Sequence, residues 1–469
     1  MGRQDLASRT DRRRPPLEPA GDERFRADAR RGGSRCAHVG DFRADDPGTR
    51  VLPVRRGTPR PRSGFGLPSL RPARLENLSR GTFPVHGTHR GRRCVSERRQ
   101  HDGSRPLAGD RFPVNIAAII DEPYDSGITQ YALRACEGLS GRGHTVRVWG
   151  LEGRPPLHAA KRRGLQTVGY SHPWLELRAL RSRLRETGAE LVVAHTGSAH
   201  TLAVALATWH SKNRLPVLRT RGDARALRAR PGARFLWART DGFIAANRKI
   251  LEEYRSLFDG PRPSAVVYEG AEDPGPPVPP ENGPVTIGIV ARLDPVKGHS
   301  CLLQAAARVV RAHPEVRFLV VGKQENVSRV QLTAEAGALG VADHVEFTGR
   351  VPDPLHYMRR CHIGVVASLG SEAVSRAAVE WMSVGRPLVA TAVGCLPEYV
   401  LDGKTGALVE PGNPDALAGA LLELAADPFL RETRGNAARR RYESLFGLDR
   451  FLDETQRLYQ DAIFSLSPR

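Results

Sequence analysis

Glu372 and Glu380 stand eight residues apart in Gly370-Ser-Glu-Ala-Val-Ser-Arg-Ala-Ala-Val-Glu-Trp-Met-Ser-Val-Gly-Arg-Pro387. About eighty residues upstream, Arg292 and Lys297 stand five apart in Gly288-Ile-Val-Ala-Arg-Leu-Asp-Pro-Val-Lys-Gly298. Carboxylates accept hydrogen bonds from neighbouring hydroxyls, while a guanidinium fork and an ammonium point charge together neutralise a diphosphate. Acids for sugar hydroxyls and cations for a diphosphate are what an enzyme acting on a nucleotide sugar needs. Eight steps of about 100° leave the two acids some 80° apart and two turns distant, so they are not paired on one helix face. The spacing therefore places Glu372 in a loop and Glu380 in the helix after it. The amides of Val374, Ser375 and Arg376 then open toward an anion at the helix N-terminus. Gly385 followed by Pro387 ends that helix.

The elements that position these groups are short and alternate. Apolar runs at 114–120, 144–149, 191–194, 215–218 and 242–245 predict strands, with a turn at Asp125-Ser-Gly127 and helices at about 128–140 and 201–209. The Pro-rich stretch 274–280 reads as a semi-rigid linker. The alternation restarts with strands at 285–290, 317–321, 345–347, 363–367 and 388–391 and a helix at about 298–312. Such alternation predicts an α/β chain of two doubly wound, Rossmann-like domains facing across a cleft. The expected domains are 113–280 and 281–445, followed by a helix at 446–469 that returns to the first domain. Arg292 and Lys297 fall on a strand-to-helix loop, with Gly298 easing the turn. Taken alone, these two could equally be solvated loop cations.

The formal net charge of +20 suggests a nucleic-acid binder, but its distribution argues otherwise. Residues 1–112 hold 26 Arg, no Lys and 13 acids, whereas residues 286–469 hold 21 bases and 21 acids. The excess belongs mostly to residues 1–112, which lack any helical or strand period and are expected to be a disordered Arg-rich tail. Two functional alternatives stay open for it, a basic arm and a start assigned too early. The next methionine is Met358, so a start near Val114 would need a non-ATG codon. Cys36, Cys94, Cys136, Cys301, Cys361 and Cys395 form no C-x-x-C pair or disulfide spacing, as expected of reduced cytosolic thiols. No apolar run reaches membrane-spanning length, so a cytoplasmic location is expected, with peripheral contact at the inner face of the cell membrane as the variant.

Together the residues resemble the retaining GT-B glycosyltransferases of family 4, whose C-terminal domain carries an R-x4-K-G loop and an E-x7-E motif. The resemblance covers roughly residues 114–465. It implies that Glu372 touches the donor sugar, Glu380 holds the ribose, and Arg292 and Lys297 bind the diphosphate. Further implied donor contacts are Gly127, Gly322, Gly349, Arg350, Val351 and Ser375, with Val393-Gly394 and Pro397-Glu398 as additional matches. The implied reaction is transfer of a hexosyl- or heptosyl-type sugar from a nucleotide-sugar donor to a glycan or glycolipid hydroxyl, with anomeric retention, in cell-surface or lipopolysaccharide assembly. No metal or other cofactor is expected, since no D-x-D string occurs between 113 and 469 and two cations are available for the leaving group.

Three departures qualify the resemblance. Ser126 replaces the first glycine of the usual pair, Ser375 stands where the E-x7-E motif usually has glycine, and Gly222 in Thr220-Arg-Gly-Asp223 stands where the family's histidine is common. His195, just after a strand, is the candidate to compensate, with Arg221 and Asp223 as further acceptor contacts, or it caps the strand structurally. If 175–186 is helical, Arg178, Arg181 and Arg185 share a face that meets anionic lipid or simply water. A nucleotide-sugar epimerase or a phosphorylase on the same scaffold, and a basic nucleic-acid-binding protein, are the alternatives; the first two lack their distinctive acid set or cofactor lysine here.

Overall fold

A parallel strand covered by helices on both faces must be apolar on both, and Val, Ile, Leu and Ala fill the strands of this chain accordingly. The computed structural model describes residues 113–465 apart from 125, 209–213, 224, 228–230, 259, 261, 281 and 371. The expected tail, 1–112, lies outside the described residues. The first sheet contains β1 (Asn115–Ile119), β2 (Thr145–Leu151), β3 (Gln166–Tyr170), β4 (Leu191–Ala194), β5 (Val217–Arg221), β6 (Gly242–Ala245) and β7 (Ser264–Val266) in the order β3-β2-β1-β4-β5-β6-β7. Every pairing is parallel, and β4, β5 and β6 are buried along their whole length. Helices α1 (Gly127–Gly141), α2 (Pro155–Arg162), α3 (Leu177–Glu186), α4 (Gly197–Thr208), α5 (Pro231–Ala238) and α6 (Arg248–Leu257) follow β1 to β6 in turn.

The second sheet repeats the plan. Its strands β8 (Thr286–Val290), β9 (Arg317–Val321), β10 (Val345–Gly349), β11 (Ile363–Val366), β12 (Leu388–Thr391) and β13 (Gly406–Val409) lie in the order β10-β9-β8-β11-β12-β13, again all parallel. Between and after them run α7 (His299–Ala312), α8 (Arg329–Ala338), α9 (Pro354–Arg360), α10 (Arg376–Ser383), α11 (Leu396–Tyr399), α12 (Pro414–Ala426), α13 (Pro428–Leu445) and α14 (Leu448–Phe464). Each sheet reverses its strand order once, between β1 and β4 and between β8 and β11. That reversal opens a crevice at the carboxyl ends of the strands, where ligands of doubly wound sheets bind.

Some element boundaries differ from expectation for local reasons. The helix expected from Thr201 begins at Gly197, because Thr196 Oγ1 accepts the Ala199 amide at 3.1 Å and so caps it earlier. The strand expected at 215–218 lies at Val217–Arg221, since Pro216 has no amide to donate to a ladder. Three strands went unrecognised in the sequence: β3 and β13, each of which contains a glycine, and β7, which is only three residues long.

The two sheet units are stitched by side chains that cap helices across the seam. Asn247 caps α6 through Oδ1, accepting from Ile250 N at 2.9 Å, and its Nδ2 donates to Ala373 O of the second unit at 2.9 Å. The Glu398 carboxylate accepts from the amides of Arg248 and Lys249 at the start of α6 and from Tyr268 Oη at 3.1 Å. After α13 packs on α10, α14 returns to the first unit. There Phe451 meets Tyr131 edge-on at 5.0 Å, and Leu452, Leu458, Tyr459 and Ala462 join the core around α1 and β6. Truncating Phe451→Ala removes a fully buried aromatic ring from this junction. The expected loss is about 3–5 kcal/mol of unfolding free energy, measured by denaturant titration.

Candidate functional site

The loop after β8 is shaped before any ligand arrives. Asp294 caps a 3-10 turn at Pro295–Lys297, its Oδ1 accepting from Val296 N at 3.1 Å and its Oδ2 from Asn326 Nδ2 at 2.8 Å. Gly298 then leaves the turn with φ +72°, and a Cβ there would lie 1.9 Å from Ala367 O at the end of β11. Only glycine permits both that dihedral and that approach. Leu369 N donates to Val296 O at 2.8 Å, so the loops after β8 and β11 form one layer across the crevice.

This layer joins Lys297 to Glu372. Lys297 Nζ donates to Glu372 Oε1, and Ser368 Oγ donates to the same oxygen at 2.5 Å. Glu372 is buried, and its carbonyl accepts from Cys395 N at 2.7 Å. A Cβ at Gly394 would fall 1.9 Å from that carbonyl, so the Val393-Gly394 segment closes on Glu372 from behind. Val290, Lys297, Ser368, Glu372, Ser375 and Arg376 line a cavity of about 200 Å³. Glu380 lies one turn into α10, where it accepts from Arg376 Nε at 2.6 Å. Glu372 in the loop and Glu380 in the helix match the expected placement. Ser375 occupies the N-cap of α10, but its side chain makes no capping hydrogen bond.

The other expected residues are distributed around this centre. Arg292 does not line the cavity; its side chain is 48% exposed and stands 3.5 Å from Asp294. Gly322 is required by packing, since a Cβ would lie 1.8 Å from Ala291 O, and its amide donates to Gly349 O. Gly349 ends β10 with open space around its Cα, followed by exposed Arg350 and half-buried Val351. Gly127 is the first residue of α1, capped by Ser126, and an added Cβ would touch nothing.

In the first unit, His195 follows β4 and donates its amide to Ile119 O at 3.1 Å. Its ring is buried with both nitrogens lacking a hydrogen-bond partner among the described residues. Burial, reinforced by the nearby Arg219 charge, pushes its pKa down to about 3, so the ring is neutral at physiological pH. Arg221 pairs with Asp223 at 2.9 Å, and Asp223 also lies 3.9 Å from Arg219. Gly222 sits at the seam, where a Cβ would lie 3.5 Å from Val374 Cγ2 and 3.4 Å from Ala246 Cβ. These are ordinary van der Waals distances, so a Cβ fits at this position.

Several polar residues were missed by the sequence reading. Arg219 is buried, donating to Ala194 O at 3.1 Å and Thr220 O at 2.6 Å; its signal was a charge inside the apolar strand Val217–Arg221. Arg376 entered only as a backbone amide, yet its side chain reaches the cavity. Glu269 is buried on the seam segment, with its nearest cation, Arg134 Nε, 4.0 Å away and Oε1 without a hydrogen-bond partner among the described residues. Burial, only partly offset by Arg134 and Arg376, raises its pKa to about 7. A carboxyl raised in the folded state contributes full stability below its unfolded pKa of about 4.5, and that contribution is lost as pH rises to about 7. Glu269→Gln should therefore match the parent near pH 4.5 and exceed it by about 3 kcal/mol at pH 8, measured by unfolding at both pH values.

With the site described, comparison adds the following. Residues 276–441 match the family profile described as Glycosyl transferases group 1, and residues 126–273 match that described as Glycosyltransferase Family 4. D-inositol 3-phosphate glycosyltransferase of Kribbella flavida is 37% identical over 163 residues, covering 33% of this chain and 38% of the relative. Phosphatidyl-myo-inositol mannosyltransferase of Mycobacterium leprae is 34% identical over 164 residues, covering 34% of this chain and 42% of the relative. The chain thus spans about two fifths of the length of the curated relatives it matches. A glycosyltransferase from Rickettsia africae shares the fold at TM-score 0.65 and 17% identity, covering 75% of this chain and 99% of its own. Anabaena HepE, solved with UDP, does so at TM-score 0.64 and 19% identity, covering 73% and 99% respectively.

Proposed function

The chain belongs to the group 1 glycosyl transferases, and from that premise we propose that it transfers a sugar from a nucleotide-sugar donor to a hydroxyl acceptor, with retention at the anomeric carbon. The observation that carries the reading is the Lys297–Glu372 pair lining a cavity at the reversal between β8 and β11. In this reading Lys297, with Arg292 from the same loop, meets the diphosphate, the amides at the start of α10 add partial positive charge, and Glu372 accepts from donor-sugar hydroxyls. Glu380 takes the ribose, and Gly349, Arg350 and Val351 border the base. The departing diphosphate is the proton acceptor for the incoming hydroxyl, so no strong protein base is required. Transfer without a metal ion is part of the proposal, because fixed cations carry the leaving-group charge.

The first sheet receives the acceptor, with His195, Arg221 and Asp223 at the carboxyl ends of β4 and β5. The relatives named above direct the acceptor toward a polyol phosphate or an inositol lipid, within the broader class of glycan and glycolipid hydroxyls. Glu372→Gln tests the reading. In chelator-containing buffer the parent protein is expected to transfer sugar, and the variant to lose about a hundredfold or more in kcat while still binding the nucleoside diphosphate. Donors can be ranked beforehand by thermal shift, since a ligand of the native state stabilises it.

A membrane-associated acceptor also accords with α3. No helix of the described residues is long and apolar enough to cross a membrane. Exposed Trp174 and Leu175 precede α3, and Arg178 and Arg185 are exposed along it, while Arg181 folds back to donate to Ala205 O. An aromatic beside basic side chains suits an anionic bilayer surface. Co-sedimentation with phosphatidylglycerol vesicles is expected at low salt and is expected to fall at least severalfold in 0.5 M salt or on Arg178→Glu/Arg185→Glu substitution.

A further inference from the structure

Arg376 is a cation where a helix disfavours one. It is the first residue of α10, at the positive end of the dipole, and the Oγ of the preceding Ser375 accepts from none of the amides there. Its guanidinium is held by Glu380 Nε-to-Oε1 at 2.6 Å, yet half of the side chain remains exposed, and Arg376 lines the same cavity as Lys297 and Glu372. Arg292, the guanidinium expected beside Lys297, does not line that cavity and stands against Asp294 instead. The acids around Arg376 are Glu380, Glu269 and Glu272, and the neighbouring cation is Arg134 from α1, which shares Glu269 and Glu380 with it. Arg376 takes one oxygen of the Glu380 carboxylate, so ribose hydroxyls approaching that carboxylate compete with the guanidinium for it.

Resting on the donor-site reading above, we propose that Arg376 is a donor-binding residue that exchanges partners: the ribose hydroxyls displace it from Glu380, and the freed guanidinium then contacts the diphosphate. The exchange is local, since both partners lie within one turn of α10 and a guanidinium on three methylene groups can pivot from a carboxylate one turn on to an anion at the helix start. Arg376 keeps an anionic partner throughout, while Glu380 exchanges a cation for two neutral hydroxyl donors. It also accounts for a cation at a helix N-terminus, a position that becomes favourable once a diphosphate sits there.

The test is calorimetric titration of the full chain with UDP, GDP and ADP, and with the matching nucleosides. Arg376→Leu is expected to weaken the preferred nucleoside diphosphate by about tenfold or more. Its affinity for the matching nucleoside should stay level or rise, because Glu380 is released. Arg376→Lys should recover part of the diphosphate affinity. Equal diphosphate affinity in parent and Leu variant, or equal losses for nucleoside and diphosphate, overturns the exchange while leaving the transfer reading intact. Failure of the parent to bind any of the three diphosphates overturns both. Unchanged thermal unfolding of the ligand-free variants confirms that a folding defect is not being read as lost contact.

Discussion

The approach of two loops at the reversal between β8 and β11 is the constraint on which the rest of the site depends. Gly298 lies against Ala367 O, Leu369 N reaches back to Val296 O, and Gly394 lies against Glu372 O. Neither glycine approach tolerates a Cβ. Their consequence is that Lys297 and Glu372, 75 residues apart in the chain, share a hydrogen bond without either side chain having to search for the other. Rigid positioning matters here because charge stabilisation at a developing anion works only if the groups are already oriented.

The two ion pairs of the site differ in strength, and the difference assigns them different tasks. Lys297–Glu372 is largely buried and reinforced by Ser368, so losing one partner would leave an uncompensated charge, a cost of about 3–5 kcal/mol. A ligand must add to that pair rather than replace it. Arg376–Glu380 is an i, i+4 pair whose carboxylate is buried but whose guanidinium is half exposed, so its cation can be resolvated where Lys297 is more enclosed. One pair is thus part of the scaffold, and the other is open to exchange.

Much of this was legible in the sequence because the signals were local. The alternation of apolar runs with helical segments implied two doubly wound sheets, and the glycine after Lys297 marked the turn. The placement of Glu372 in a loop and Glu380 in a helix followed from angular spacing alone. What was not legible depended on tertiary geometry. Arg292 is drawn to Asp294, a choice no spacing rule encodes. Gly322 looked like a residue for close ligand approach, but its neighbour is the Ala291 carbonyl. Glu398 matched a family position, and here its carboxylate caps α6 across the seam. Glu269 carried no signal, since its burial is created by α1, α10 and the seam segment together.

The seam that joins the two sheets is held by two kinds of contact. Its polar fastenings include Asn247 to Ala373 O, Glu398 to the α6 amides and Tyr268, and Arg439 to Asp273. By contrast, α14 is anchored by an apolar core around Tyr131 and Phe451 that resists separation. Capping bonds at a helix end are each worth about 1 kcal/mol, whereas a buried aromatic contributes several. The apolar anchor therefore holds α14 to the first sheet more strongly than any single cap holds the seam. Glu269 lies beside that seam, where the cost of its burial is only partly offset by Arg134 and Arg376. Those two cations are what keeps a buried carboxyl tolerable beside helix α10.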